Sequence, residues 1–210
     1  FGNAITPAGA GCDVDYPEDN YPWNQHLPEE QMLQLSVPDN IAGVFPYNEI
    51  TRQVQYLNCK LGKDTKPILN PRGVLNDAIL IGGSRFFSEF IDDSPLAQRL
   101  LAYSFGILKS TIRYNHQVLG ESGMVMLTNC AVMMINPNLY QAKFLPYDQE
   151  LHQLVTANGQ PFGIHHCGNF ERYAPSYRQL PKVDWIETGW GSDIKTTLKL
   201  FPEATIQYIF

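Results

Sequence analysis

From about residue 60 onward, short apolar runs alternate with stretches of helical periodicity, and this alternation points the chain toward a parallel-sheet α/β fold. The clearest run is "GMVMLTN" at 123–129, continuous in its apolar residues as a strand covered on both faces requires. "QPFGIHHC" at 160–167, "VDWIETGW" at 183–190 and "ATIQYIF" at 204–210 read as the strands that follow, and "KPILN" at 66–70 as the one before. Helices are expected between them. One covers 73–81. A long one is capped by Asp93 or Ser94, has Pro95 in its first turn, and carries Leu96, Leu100, Phe105, Leu108 and Ile112 as an apolar stripe toward Gly120. Another starts at Pro137, restarts near Pro146 and stops before Asn158 and Gly159. The last two lie around 171–179 and from Ser192 or Asp193 to Leu200. Strands and helices at this spacing make βαβ units.

Residues 1–48 read differently, as a loop-rich segment of Pro, Gly, Asn and acidic residues with "YPEDNYPW" at its densest, where loops and short helices are expected. A helix then spans "YNEITRQVQYLNCKLG", with Ile50, Val54, Leu57 and Leu61 at helical spacing and Gly62 suited to its end.

Such units build either a doubly wound sheet or a (β/α)8 barrel. A dinucleotide-binding sheet would carry Gly-x-Gly-x-x-Gly after an early strand; none is present, and "IGGSR" at 81–85 is too short and badly placed. Polar residues gather instead at strand C-termini: Asn70 with Arg72, Asn129 with Cys130, His165 with Cys167, and Glu187. Barrel enzymes keep their catalytic groups at that end, so the expected fold is α/β, of the (β/α)8 TIM-barrel type with parallel strands, as one domain over 1–210. With no initiator Met and a strand-like final segment, the expectation is an incomplete barrel, a fragment with sheet edges that invite pairing with a second copy.

Composition narrows the partners. The net charge of −6 argues against nucleic acid or an acidic membrane surface, since phosphate binding needs a basic face. No apolar run of about 18 residues marks a membrane span. The four cysteines, Cys12, Cys59, Cys130 and Cys167, are irregularly spaced, which favours reduced thiols in the cytoplasm. The expected partner is a small-molecule substrate.

"GIHHCGN" holds the most informative side chains. Along a strand the side chains alternate, so His165 and Cys167 share a face while His166 points toward the surrounding helices. Imidazole and thiolate both bind zinc, and a catalytic zinc takes three protein ligands with one position open. Two readings fit: a strand end that carries polar residues, or half of a metal site whose third ligand comes from elsewhere. Cys130 could reach such a metal, although a free cysteine commonly packs as a small hydrophobe. Glu187 fits a general acid/base, a fourth ligand or a hydrogen-bonded group at the barrel mouth. Asn129 and Asn70 could orient a substrate or simply close strand-end turns. Arg72 suits a substrate carboxylate or an exposed loop, and Asp193 a helix cap. His26, His116 and His152 lack partner spacing, and Met124, Met126, Met133 and Met134 read as core filling.

The segment from "GIHHCGNFERYAPSYRQLPKVDWIETGWGSDIKTTLKL" to the end resembles the second half of the uroporphyrinogen decarboxylase superfamily, and residues from about 60 onward resemble its preceding βα units. His165-His166-Cys167-Gly168 matches the His-x-Cys-Gly of that family's corrinoid-linked methyltransferases. The resemblance implies a zinc site with His165 and Cys167 as ligands, and a third ligand beyond the end of this chain. It also implies methyl transfer between a small-molecule donor or thiol acceptor and a corrinoid carried on a partner protein. Two alternatives stand beside it. One is decarboxylation in tetrapyrrole (porphyrin) biosynthesis, whose N-terminal arginine-rich loop and early aspartate would precede Phe1. The other is a non-catalytic partial-barrel binding subunit.

Overall fold

The computed structural model describes residues 4–66, 69–120 and 123–209, which fall into two compact units. One comprises Phe1–Leu69 with Asp77–Glu121, the other Asn70–Asn76 with Ser122–Phe210.

The first unit is mainly helical. It opens with α1 (Ile5–Ala10), a two-residue antiparallel pair of β1 (Val14–Asp15) and β2 (Trp23–Asn24), and α2 (Glu29–Leu33). The Pro-rich start thus forms the short pieces its composition allows. Next comes α3 (Tyr47–Leu61), whose expected stripe is only partly used: Ile50 is buried, but Leu57 and Leu61 are exposed. Tyr47 supplies the main anchor instead. Its hydroxyl meets Thr111 Oγ1 at 2.8 Å, and its carbonyl accepts from Tyr114 Oη at 2.8 Å. The helix α4 (Val74–Gly82) crosses the boundary between the units. It is followed by α5 (Arg85–Ile91), which the sequence had not set apart, and α6 (Pro95–Gln117). The anticipated cap is present, with Ser94 Oγ accepting from Ala97 N at 3.2 Å and Pro95 opening the first turn. Leu96, Leu100, Leu108 and Ile112 are buried as expected.

The second unit is a four-stranded parallel sheet: β3 (Val125–Thr128), β4 (Phe162–His166), β5 (Trp185–Thr188) and β6 (Thr205–Tyr208). Between these strands run α7 (Pro137–Lys143), α8 (Leu145–Ala157), α9 (Ala174–Tyr177) and α10 (Ile194–Leu200). The helix expected at 171–179 is shorter, a 3-10 turn at Phe170–Arg172 followed by α9. Pro175 opens that helix, where a missing N–H costs nothing. Part of "KPILN" lies outside the described residues; what is seen is an isolated parallel bridge from Arg72 to Thr128. Gly73 N donates to Thr128 O and Thr128 N to Pro71 O, so the 71–73 segment lies along the free edge of β3.

Neighbours in this sheet follow chain order without a reversal. A doubly wound sheet needs a switch point, whereas a barrel winds one way, so the arrangement is that of a partial barrel. Val125, Leu127, Phe162, Ile164 and Ile186 are buried on one face, while Met126, Thr128, His165, Trp185 and Glu187 stay half-buried on the other. No helix among the described residues is long and apolar enough to cross a membrane. Replacing Ser94 by Ala removes the acceptor for the Ala97 amide and should lower stability by about 1 kcal/mol, read as a lower urea midpoint with an unchanged slope.

Candidate metal centre

Register builds the site. The Cα partners Thr128, His165, Glu187 and Gln207 form one row across β3 to β6, and the Arg72 bridge extends it beyond Thr128. Partners in a parallel ladder present side chains to the same face, so Arg72, Thr128, His165 and Glu187 share the half-buried one. His165 Nδ1 lies 2.5 Å from Glu187 Oε2. An ionised carboxylate can only accept, so in the neutral imidazole Nδ1 carries the proton there and Nε2 keeps its lone pair. That Nε2 sits 3.1 Å from Cys167 Sγ, the i+2 residue on the same face.

The third member comes from another strand. Cys130 opens the 3-10 turn Cys130–Met134 directly after β3, and its Sγ lies 3.0 Å from Cys167 Sγ, both thiols being free. One donor atom from each of Cys130, His165 and Cys167 lies within 4.8 Å of the others, a group that could hold a metal ion. Burial, and then the Cys167 thiol beside it, push the Cys130 thiol up to about 12, so it is protonated at neutral pH. Arg72 acts on the same sulfur as a nearby positive charge. Gly168 follows in the left-handed region (φ 77°), and the side chain of Met133 occupies the space a Cβ would need there.

The opposite face of the same strand ends is a buried polar interior. Asn129 is 1% exposed, and its Nδ2 donates to Asp148 Oδ2 at 2.5 Å, which also accepts from Tyr140 Oη at 2.6 Å. A Cβ on Gly73 would fall 1.8 Å from Asn129 Oδ1, so the amide fits only against glycine. Asn129 N donates to His165 O at 2.8 Å, tying the two ligand-bearing strand ends together. Asn129 therefore supports the cluster from within, and Asn70 Oδ1 accepts from Met126 N at 3.4 Å at the exposed start of β3. His166 is buried among Phe170, Tyr173 and Tyr177, with Nδ1 3.0 Å from Tyr177 Oη. Burial lowers it to about 4, so it is neutral. Asp193 caps α10, its Oδ1 accepting from Lys195 N.

The sequence placed His165 and Cys167 on one face by strand alternation and named Glu187 only as a polar residue at another strand end; the register makes Glu187 the neighbour of His165. For Cys130, which lies 37 residues from Cys167, the sequence left both a ligand reading and a packing reading from its place near a strand end, and the structure sets its sulfur beside that of Cys167. Asp148 gave no signal, being one acidic residue in the first turn of α8.

The family profile described as uroporphyrinogen decarboxylase (URO-D) matches residues 1–207. No curated protein sequence matches the chain. Among solved structures, a methyltransferase from Methanosarcina mazei superposes with a TM-score of 0.77 at 12% identity, which shows a shared fold. The match covers 98% of this chain and 62% of that one, so the chain spans less than two thirds of that structure's length.

Burial raises the Asp148 carboxyl from 3.8 to about 6, although the Tyr140 and Asn129 hydrogen bonds oppose the rise. Between those pH values the folded state binds its proton more tightly than the unfolded chain does. Stability from this group therefore falls as pH rises through the window, by on the order of 3 kcal/mol in all. Asp148→Asn should remove that component, so the urea midpoints of the two proteins, taken from pH 4 to pH 7, should show a steeper decline for the wild type.

Proposed function

Because the chain belongs to the uroporphyrinogen decarboxylase family, we propose that it is a methyltransferase of that fold, with zinc held by Cys130, His165 and Cys167. It would move a methyl group between a small-molecule donor or thiol acceptor and a corrinoid carried by a partner protein. The carrying observation is the convergence of two thiols and one imidazole at the C-terminal end of the sheet. That borderline-soft set suits zinc, and three protein ligands leave one tetrahedral position for a substrate. Bonds of about 2.0–2.3 Å in a tetrahedron hold ligand atoms about 3.5 Å apart, so the thiol pair at 3.0 Å and the thiol–imidazole pair at 3.1 Å need open only slightly.

Bound there, the ion would supply Lewis acidity, lowering the pKa of a coordinated thiol or polarising a methyl-bearing heteroatom. The protein's own groups prepare that position. Cys130 and Cys167 give up their protons on loading, which makes metal affinity rise with pH. Glu187 accepts from His165 Nδ1, fixing the tautomer that presents Nε2 and raising the basicity of the ring. Arg72, in the same row and beside Cys130, is suited to a carboxylate on the substrate, with Asn70 as a second contact at the start of that segment. Asn129 contributes through the backbone that carries Cys130 rather than by touching substrate. Decarboxylation of a tetrapyrrole would leave the dithiol–imidazole group unused.

The test is metal content after dialysis against zinc. The wild type should retain close to one equivalent, and Cys130→Ser, His165→Ala and Cys167→Ser should each lose it. Glu187→Gln should keep the stoichiometry but weaken affinity roughly 10–100-fold. Tight tetrapyrrole binding by a chain that takes up no zinc would replace this reading with the decarboxylase, and binding of neither would leave a non-catalytic subunit.

A further inference from the structure

The two thiols of the cluster are closer than metal binding alone requires. Cys130 Sγ and Cys167 Sγ are 3.0 Å apart, both reduced, and a disulfide needs a closure of about 1 Å to reach its bond length of about 2.05 Å. The segments on either side can supply it. Cys130 begins a 3-10 turn after β3, and Cys167 stands between the end of β4 and Gly168, whose left-handed backbone is a natural hinge. Access is unequal in a useful way. Cys167 is exposed and open to a dissolved oxidant, whereas Cys130 is half-buried behind it.

We infer that Cys130 and Cys167 are an oxidisable pair that closes to an intramolecular disulfide when no metal separates them, removing two of the three donors until a thiol reductant restores them. With hydrogen peroxide as oxidant, the Cys167 sulfur attacks one peroxide oxygen, the O–O bond breaks, and Cys167 sulfenic acid and one water form. The Cys130 sulfur then attacks the Cys167 sulfur. An S–S bond forms, the S–O bond breaks, and the departing hydroxide takes the Cys130 proton as a second water. Two thiols lose two electrons in total and one peroxide becomes two waters. A dithiol reductant reverses the bond by exchange. The state would couple oxidant exposure to loss of the centre, and as regulation of that centre it rests on the zinc reading. The disulfide itself does not.

The whole chain, stripped of metal with a chelator and reduced, is treated with hydrogen peroxide and mapped by peptide mass spectrometry without reduction. The expected product is a peptide pair joined through Cys130 and Cys167 on a monomeric chain, with dithiothreitol restoring both thiols. Cys59, exposed on α3, is the internal control and stays outside the linkage. In Cys130→Ser, Cys167 should instead react with a sulfenic-acid trap. Over-oxidised Cys167 beside an unmodified Cys130 in the metal-free wild type would overturn the inference. Preloading with zinc should keep both thiols reduced over the same exposure. Linkage that zinc fails to prevent would sink the zinc reading and leave the thiol pair standing. Zinc uptake without any linkage in the stripped protein would do the reverse.

Discussion

Parallel backbone pairing spaces adjacent strands about 4.8 Å apart, and the chemistry of this chain depends on the register in which that pairing occurs. Thr128, His165, Glu187 and Gln207 fall in one row, so a histidine and a glutamate 22 residues apart become lateral neighbours with no local sequence relation. Slipping β4 by one residue would exchange its two faces. His166 would then point at the half-buried side and His165 into the aromatic interior. The register is held by Val125, Leu127, Phe162, Ile164 and Ile186, whose burial on the helix side leaves no other alignment with an equally apolar interior.

The polar interior behind the cluster works against stability locally but fixes geometry. Asp148 is buried with two donors on one oxygen, and Asn129 spans from it to the glycine at position 73. Buried polar groups are tolerated when satisfied, and a satisfied network admits few rotamers. Asn129 thus enters a single arrangement, and its peptide N–H binds the carbonyl of His165. The half-buried face inherits its spacing from this connection, since Cys130 follows Asn129 and Cys167 follows two residues after His165.

Much of the second unit could be read from the sequence because local periodicity and turn chemistry agreed there. Pro137 and Pro146 open consecutive helices, Asp193 caps α10, and β3 to β6 fall inside the four apolar segments. The first unit was harder. Its short helices and two-residue strands carry too few periods to show a pattern, and α3 buries Tyr47 ahead of its regular stripe. At the site, His165 and Cys167 were legible because two residues of strand set their relation. For Cys130 the sequence left ligand and packing readings side by side, because its approach depends on which strands are neighbours, and no spacing along the chain encodes that. The same limit hid Asp148, whose partners come from β3's end and from α7.

The adjacent histidines give the alternation of β4 a further meaning. One residue apart, His165 meets a carboxylate and a thiol, while His166 meets three aromatic rings and a phenol. Two identical side chains are therefore held to unrelated standards, one by donor chemistry and the other by shape and volume. Selection can act on each without disturbing its neighbour, so a lineage could exchange the reactive face of this strand for another chemistry while its packed face went on specifying the same fold.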